Sequence, residues 1–199
     1  EVIRGASLLA DEDRWIWVEE GDGMFSVKSC YNLLSRLVTP NLPLSGLDSF
    51  VFNYIWKSSA PSKVCAFTWQ AILDKIPSRI NLSRHGVIKP PESKVCVLCR
   101  RVDESSHHLL LHCNFASGVW YAIFNWLGVV YISPPNLSIT FASMAGMGDS
   151  KRRKKGLLLL WQVVLWSIWR ACNDRLFNNI EASVNEVVDS VKHLAWKWY

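Results

Sequence analysis

The segment Val95–Asn114, which reads VCVLCRRVDESSHHLLLHCN, decides how the rest of the chain is interpreted. It contains three of the six cysteines and three of the five histidines. Cys96 and Cys99 are separated by two residues, and this spacing lets one tight turn present two sulfur atoms to a single ion. Two further ligands follow within the same segment. A site closed by four protein ligands leaves no position for water, so we interpret it as structural rather than catalytic.

The last two ligands can be chosen in two ways. His108 with Cys113 gives the pattern C-x2-C-x8-H-x4-C, whereas His108 with His112 gives a Cys2His2 set with both histidines on one helical face. We favour the first set because thiolate is the softer ligand and Cys113 has no other evident role. Buried thiols beside a solvated histidine face are the remaining alternative. The predicted ligands of a Zn²⁺ ion are therefore Cys96, Cys99, His108 and Cys113.

The composition allows a sizeable core and suggests an anionic partner. Half of the 199 residues are apolar, eleven are tryptophan, and the formal net charge is +5. The N-terminal segment lacks the basic and long apolar regions of a secretory signal, so we expect metal ligands and core thiols rather than disulfides. Because the chain begins with Glu1, we expect a fragment or a processed product. The apolar run from Leu157 to Trp169 is shorter than the roughly 20 residues of a membrane span, and we predict no membrane association.

The N-terminal part has the pattern of a β-hairpin. Residues 14–20 read RWIWVEE and alternate in polarity, GDG at 21–23 is a turn signal, and MFSVKS resumes the extended pattern. Ser29 is then predicted to cap a helix. Helical periodicity dominates the remainder. We therefore predict an α+β fold, mostly α, with a small N-terminal β-hairpin, a helical body with a CCHC zinc knuckle, and C-terminal helices.

The predicted domain organisation has three parts. A zinc-binding domain covers residues 1–130 and includes the hairpin, the helical body and the knuckle at 95–114. A flexible basic linker covers residues 131–155, where small residues precede the run KRRKK at 151–155. A C-terminal helical segment covers residues 156–199.

Three stretches together resemble a known family. WIWVEEGDGMFSVKSCYNLL, YIWKSSAPSKVCAFTWQAILDKIPSRINLSRHGV and CVLCRRVDESSHHLLLHC are similar to the zinc-binding domain that follows the reverse transcriptase in plant LINE-type (non-LTR) retrotransposons. The matching residues are Trp15, Trp17, Gly23, Phe25, Ser26, Val27, Lys28, Ser29, Tyr31, Ile55, Trp56, Lys57, Pro61, Lys63, Trp69, Pro77, Leu82, Gly86, Cys96, Cys99, Glu104, His108, Leu109 and Cys113. The downstream stretch WSIWRACNDRLF resembles a further segment of the family, except that Cys172 stands where the family usually has Arg.

The resemblance implies an accessory to a reverse transcriptase that engages element RNA or target DNA in the nucleus, with His108 and Cys113 as the third and fourth zinc ligands. The upstream reverse transcriptase domain would be a second partner. Phosphate contacts require cations, and KRRKK can alternatively act as a nuclear-import signal. The predicted nucleic-acid-binding residues are Lys63, Arg79, Arg84, Arg100, Arg101, Lys151, Arg152 and Arg153.

Two other classes of function were weighed. A zinc-stabilised protein-interaction or scaffold domain is the main alternative, and a degenerate element fragment is a variant of it. Reverse transcription needs clustered aspartates that hold two metal ions, whereas the 17 acidic residues here are dispersed. The sequence also lacks a serine nucleophile elbow, a phosphate-cradling glycine loop and an HExxH motif. We therefore expect no catalytic activity of the chain's own.

Overall fold

The computed structural model describes residues 15–38 and 46–199. The chain divides into two compact units, Glu1–Pro43 and Leu44–Tyr199. In the first unit, α1 spans Val27–Val38. The helices of the second unit are α2 (Gly46–Ile55), α3 (Ser62–Ile72), α4 (Arg79–Arg84), a short π-helix (His108–His112), α5 (Asn114–Trp126), α6 (Leu137–Gly146), α7 (Lys151–Phe177) and α8 (Val184–Trp198).

The predicted N-terminal β-hairpin is wrong, because the described residues contain helices and no strand. Residues 17–23 instead form a compact loop in which the Trp17 amide donates to the Gly23 carbonyl at 2.8 Å. Ser26 then accepts a hydrogen bond from the Ser29 amide at 3.0 Å, as a helix cap does, and α1 begins at Val27. The residues of the predicted second strand are thus used by the cap and first turn of α1. The fold class is helical rather than α+β.

α7 lies at the centre of the second unit. Every residue from Leu157 to Leu165 is buried, and a helix that is apolar all round belongs inside a core. It packs against α3, α5, α6, α8 and the π-helix. Its one polar residue in that stretch, Gln162, donates to the Ile55 carbonyl and to the Thr68 hydroxyl, both at 3.3 Å. This side chain therefore links α7 to α2 and α3.

α8 folds back along α7. A capping box at its start pairs the Ser183 amide with the Glu186 carboxylate at 2.7 Å, and the Glu186 amide with the Ser183 hydroxyl. At the other end of α8, the ring of Tyr199 lies 3.3 Å from the position that a Cβ on Gly156 would occupy. The end of α8 therefore lies beside the beginning of α7.

The segment 131–155, predicted as a flexible basic linker, contains α6 and the first turn of α7. Asn136 and Ser150 cap these helices through their side chains. Between them, a Cβ on Gly148 would lie 2.7 Å from the Lys154 Cα, so only glycine fits the turn into α7. The domain boundaries at 130 and 155 stay a prediction. Within residues 15–38 and 46–199, no helix has both the length and the apolar character that a bilayer crossing requires.

Two buried tryptophans provide a test of the core. Trp120 and Trp161 are both fully buried, but the Trp120 Nε1 donates to the Leu110 carbonyl at 2.8 Å, whereas the Trp161 Nε1 has no partner among the described residues. We expect Trp120→Phe to lower the free energy of unfolding by about 1 kcal/mol more than Trp161→Phe, because only the former breaks a hydrogen bond. Urea unfolding of both variants measures the difference. Equal losses would contradict this account.

Candidate metal centre

A tight turn presents the first two candidate ligands. Val95 and Asp103 form an isolated antiparallel bridge, and the Cys96 amide donates to the Val102 carbonyl at 2.8 Å. The chain reverses between them, where the Arg100 amide donates to the Cys96 carbonyl and Arg100 adopts a positive φ of 55°. This turn places Cys96 and Cys99 on the same side of the loop.

The π-helix presents the other two candidate ligands. Residues five apart on an α-helix point about 140° away from each other, so His108 and Cys113 would diverge there. Here the Cys113 amide donates to the His108 carbonyl at 2.6 Å, which is the i to i+5 bond of a π-helix. Leu109, Leu110 and Leu111 between them are all completely buried. Packing of these leucines therefore holds the wide turn and directs both side chains to one point.

The four donor atoms form a compact group. The sulfurs of Cys96, Cys99 and Cys113 and a ring nitrogen of His108 all lie within 4.8 Å of one another. The Cys96 and Cys113 sulfurs are 4.0 Å apart, and the Cys99 sulfur is 3.3 Å from the His108 Nε2. A tetrahedral zinc with Zn–S bonds of about 2.3 Å separates its sulfurs by about 3.8 Å. The group therefore has the size of a zinc site, and the Cys96 and Cys113 sulfurs are too far apart for a disulfide.

The local electrostatics also suit a bound cation. The adjacent Cys113 thiol and then burial raise the pKa of the Cys96 thiol, while the same contact lowers the pKa of the Cys113 thiol. The two sulfurs therefore do not both ionise readily without a positive charge between them. Burial and then the charge of His112 lower the pKa of His108, which keeps its imidazole neutral and able to donate a lone pair. His112 itself is exposed and lies outside the group of four.

A buried carboxyl group joins the candidate site to its surroundings. Glu104 is 2% exposed, and its side chain accepts a hydrogen bond from the Arg79 amide at 3.2 Å. Its other oxygen lies 3.8 Å from the sulfur of Cys172 on α7. Burial raises the pKa of Glu104 despite the opposing effect of the Arg79 amide. Glu104 thus connects the knuckle, the start of α4 and α7, a role that sequence reasoning missed.

Cys172, the position at which the chain departs from the family resemblance, is buried. Cys172 is 3% exposed and faces Glu104, so the position belongs to the interior of the protein.

The knuckle-side cations among the predicted nucleic-acid-binding residues are mostly engaged within the protein. The Arg79 guanidinium donates to the Ser93 carbonyl at 2.9 Å, Arg84 lies 3.5 Å from the Asp74 carboxylate, and Arg100 lies 3.2 Å from that of Glu181. Arg101 is exposed and has no partner among the described residues. Lys63 is also exposed, with its ammonium group 5.7 Å from the ring centre of Trp166.

The remaining three cations lie elsewhere. Lys151, Arg152 and Arg153 form the first turn of α7, whereas Arg175 near its last turn donates to the Leu98 carbonyl of the knuckle at 3.4 Å. Twenty-three residues of α-helix separate Arg152 from Arg175, which corresponds to about 35 Å. The eight predicted cations therefore do not form one surface.

Comparison with known proteins agrees with the site. Residues 25–120 match the family described as zinc-binding in reverse transcriptase. A protein of Arabidopsis thaliana named as a ribonuclease H protein is 33% identical over 116 residues, which cover 56% of this chain and 17% of that protein. The chain thus spans about a sixth of the length of this relative, and no solved structure matches the chain. All four candidate ligands lie within residues 25–120, the part of the chain that matches this zinc-binding family.

Proposed function

We propose that this chain is a zinc-stabilised nucleic-acid-binding module that accompanies the reverse transcriptase of a plant LINE-type element. The observation that carries the proposal is the group of four donor atoms within 4.8 Å of one another, inside the segment that matches the zinc-binding family. Cys96, Cys99, His108 and Cys113 would hold the ion. A bound zinc fixes the relative positions of the C-x2-C turn and the π-helix, so metal binding is coupled to folding of the knuckle.

The proposed role of the zinc is structural. Three sulfurs and one imidazole fill a tetrahedral shell and leave no position for water or substrate. The relative named as a ribonuclease H protein is matched over only 17% of its length, so that name describes a much longer protein. We propose that catalysis resides outside this chain and that the module contributes binding within the nucleus.

Nucleic acid is the proposed partner because unpaired cations remain on the surface. Arg101 is exposed at the knuckle and has no ion pair among the described residues. Lys151 and Lys155, at the start of α7, are also exposed and without an ion pair there. Cations that neutralise phosphates release condensed counterions, which makes affinity strongly dependent on salt. RNA and DNA both carry this backbone.

A scaffold function is the second candidate, and an observation in the first unit favours it. Large apolar side chains are exposed there among the described residues, including Trp15 at 103%, Val18 at 87% and Leu37 at 72%. An exposed apolar surface of this kind is typical of a protein-interaction site. The upstream reverse transcriptase domain is the partner that this reading proposes.

Substitution of the candidate ligands, with His112 as a control, tests the predicted ligand set. We expect the purified wild-type chain to contain one zinc per molecule. Each of the substitutions Cys96→Ser, Cys113→Ser and His108→Ala should remove the zinc and lower the free energy of unfolding by several kcal/mol. His112→Ala is the matched control and should keep its zinc, because His112 is exposed and lies outside the cluster. Elemental analysis and thermal melts with and without chelator measure both effects. Zinc loss in His112→Ala with retention in Cys113→Ser would favour the Cys2His2 set.

Salt dependence separates the two candidate functions. We expect the zinc-loaded chain to bind RNA at low salt, with an affinity that falls steeply as salt increases, by a logarithmic slope of about −0.7 per phosphate contacted on a single strand. Fluorescence anisotropy with a labelled oligonucleotide at several salt concentrations measures this slope. A chain that binds neither RNA nor DNA at low salt would exclude the nucleic-acid reading and leave the scaffold function.

A further inference from the structure

Two adjoining cavities open at the end of the second unit that is remote from the knuckle. The first has a volume of about 860 Å³ and lies between the end of α2 and the start of α7; its lining includes Tyr54, Lys57, Lys151, Arg152, Lys154 and Lys155. The second has a volume of about 500 Å³ and lies between α7 and the ends of α5 and α8; its lining includes Trp126, Arg152, Arg153, Lys192, Trp196 and Tyr199. Arg152 and Tyr199 line both cavities. We call this combined surface the distal face.

The first cavity carries a strong positive charge. Lys57, Lys151, Arg152, Lys154 and Lys155 all line it, and none of them has an ion pair among the described residues. The N-terminus of α7 adds the positive end of a 27-residue helix. No Asp or Glu side chain of the described residues lines either cavity. A ligand with several negative charges fits this cavity best.

The second cavity adds exposed aromatic rings to this charge. Trp126 is 53% exposed, Trp196 85% and Tyr199 54%, although large rings normally contribute to the core. Arg152 donates to the Tyr199 hydroxyl at 3.0 Å, and Lys192 lies 5.6 Å from the ring centre of Trp126. The ring of Trp196 has no such cation beside it among the described residues and is open to solvent.

Cations beside open aromatic rings are the combination that recognises single-stranded nucleic acid. The cations follow the phosphates, and the rings stack on unpaired bases without regard to sequence. In a duplex the base faces are already stacked on each other, so the exposed rings would have no partner. An acidic peptide would satisfy the cations but would not use the rings.

We propose that the distal face binds a single strand of RNA or DNA, with its phosphates along Lys57, Lys151, Arg152 and Lys155 and a base stacked on Trp196. The inference rests on the proposed nucleic-acid-binding function and assigns it a location. Arg175, which donates to the Leu98 carbonyl of the knuckle, lies about 35 Å from Arg152 along α7, so the distal face is a site separate from the knuckle.

The first experiment compares two exposed aromatic residues. Trp196→Ala should weaken binding of the zinc-loaded full chain to a labelled 15-nucleotide oligouridylate by about tenfold, since the loss of one base–aromatic stack has this magnitude. Tyr121→Ala is the matched control, because Tyr121 is 64% exposed on α5 and lines neither cavity. It should leave the affinity unchanged, and thermal melts should show both variants folded. Equal effects of the two substitutions would overturn the proposal.

The second experiment compares cations at the two ends of α7. The double variant Lys151→Gln with Lys155→Gln should reduce the logarithmic salt slope for oligouridylate by about 1.4, at about 0.7 for each lost phosphate contact on a single strand. Arg101→Gln removes an exposed cation at the knuckle and should change this slope less. A larger effect of Arg101→Gln than of the double variant would place the strand at the knuckle and overturn the proposal.

Three further probes define the ligand. Oligothymidylate of the same length distinguishes DNA from RNA, and binding of either in a Trp196-dependent manner supports the distal face. A hairpin duplex that binds more tightly than the single strand, independently of Trp196, would exclude the single-strand proposal. Polyglutamate that displaces oligouridylate at equal charge would indicate an acidic peptide instead.

Failure of the wild-type chain to bind any oligonucleotide would refute the proposed function itself. Binding that is insensitive to the distal variants would refute only this location.

Discussion

Burial of three consecutive leucines is the constraint on which the candidate metal centre depends. Leu109, Leu110 and Leu111 form the middle of the π-helix and are completely buried. The π-helix widens the turn around them, and contacts with α5 and α7 surround it. His108 and Cys113, at the two ends of the π-helix, are thereby brought to the same side. The ligand geometry is therefore a consequence of core packing as well as of the metal-binding pattern.

The same packing anchors the site to the rest of the unit. Trp120 on α5 donates to the Leu110 carbonyl, and Glu104 reaches both the Arg79 amide and the sulfur of Cys172. The knuckle is thus held from α4, α5 and α7. A zinc ion at the cluster would add a direct link between the two arms of this loop.

The sequence predicted the candidate ligands better than it predicted the N-terminal fold. The reason is the distance along the chain between the residues that interact. The four candidate ligands lie within 18 residues, where spacing alone limits which side chains can meet, and the structure places them together. The hairpin rested on alternating polarity in residues 14–20, a pattern that specifies no pairing partner. In the structure, the Ser26 hydroxyl accepts a hydrogen bond from the Ser29 amide at the beginning of a helix instead.

The contact between Glu104 and Cys172 joins residues 68 positions apart, and the first distal cavity combines Lys57 with the start of α7. Only the tertiary fold brings these groups together.

The buried contact between Cys172 and Glu104 has a consequence for how the protein responds to ionic strength. Burial raises the pKa values of both Cys172 and Glu104, and the same burial keeps this contact between the knuckle and α7 away from dissolved ions. Screening acts chiefly on exposed charges, and the exposed ion pair of Arg100 with Glu181 contributes little to stability in any case. Added electrolyte should therefore leave the attachment of the knuckle intact. If the chain binds a polyanion as proposed, salt would release that ligand without loosening the interior of the protein.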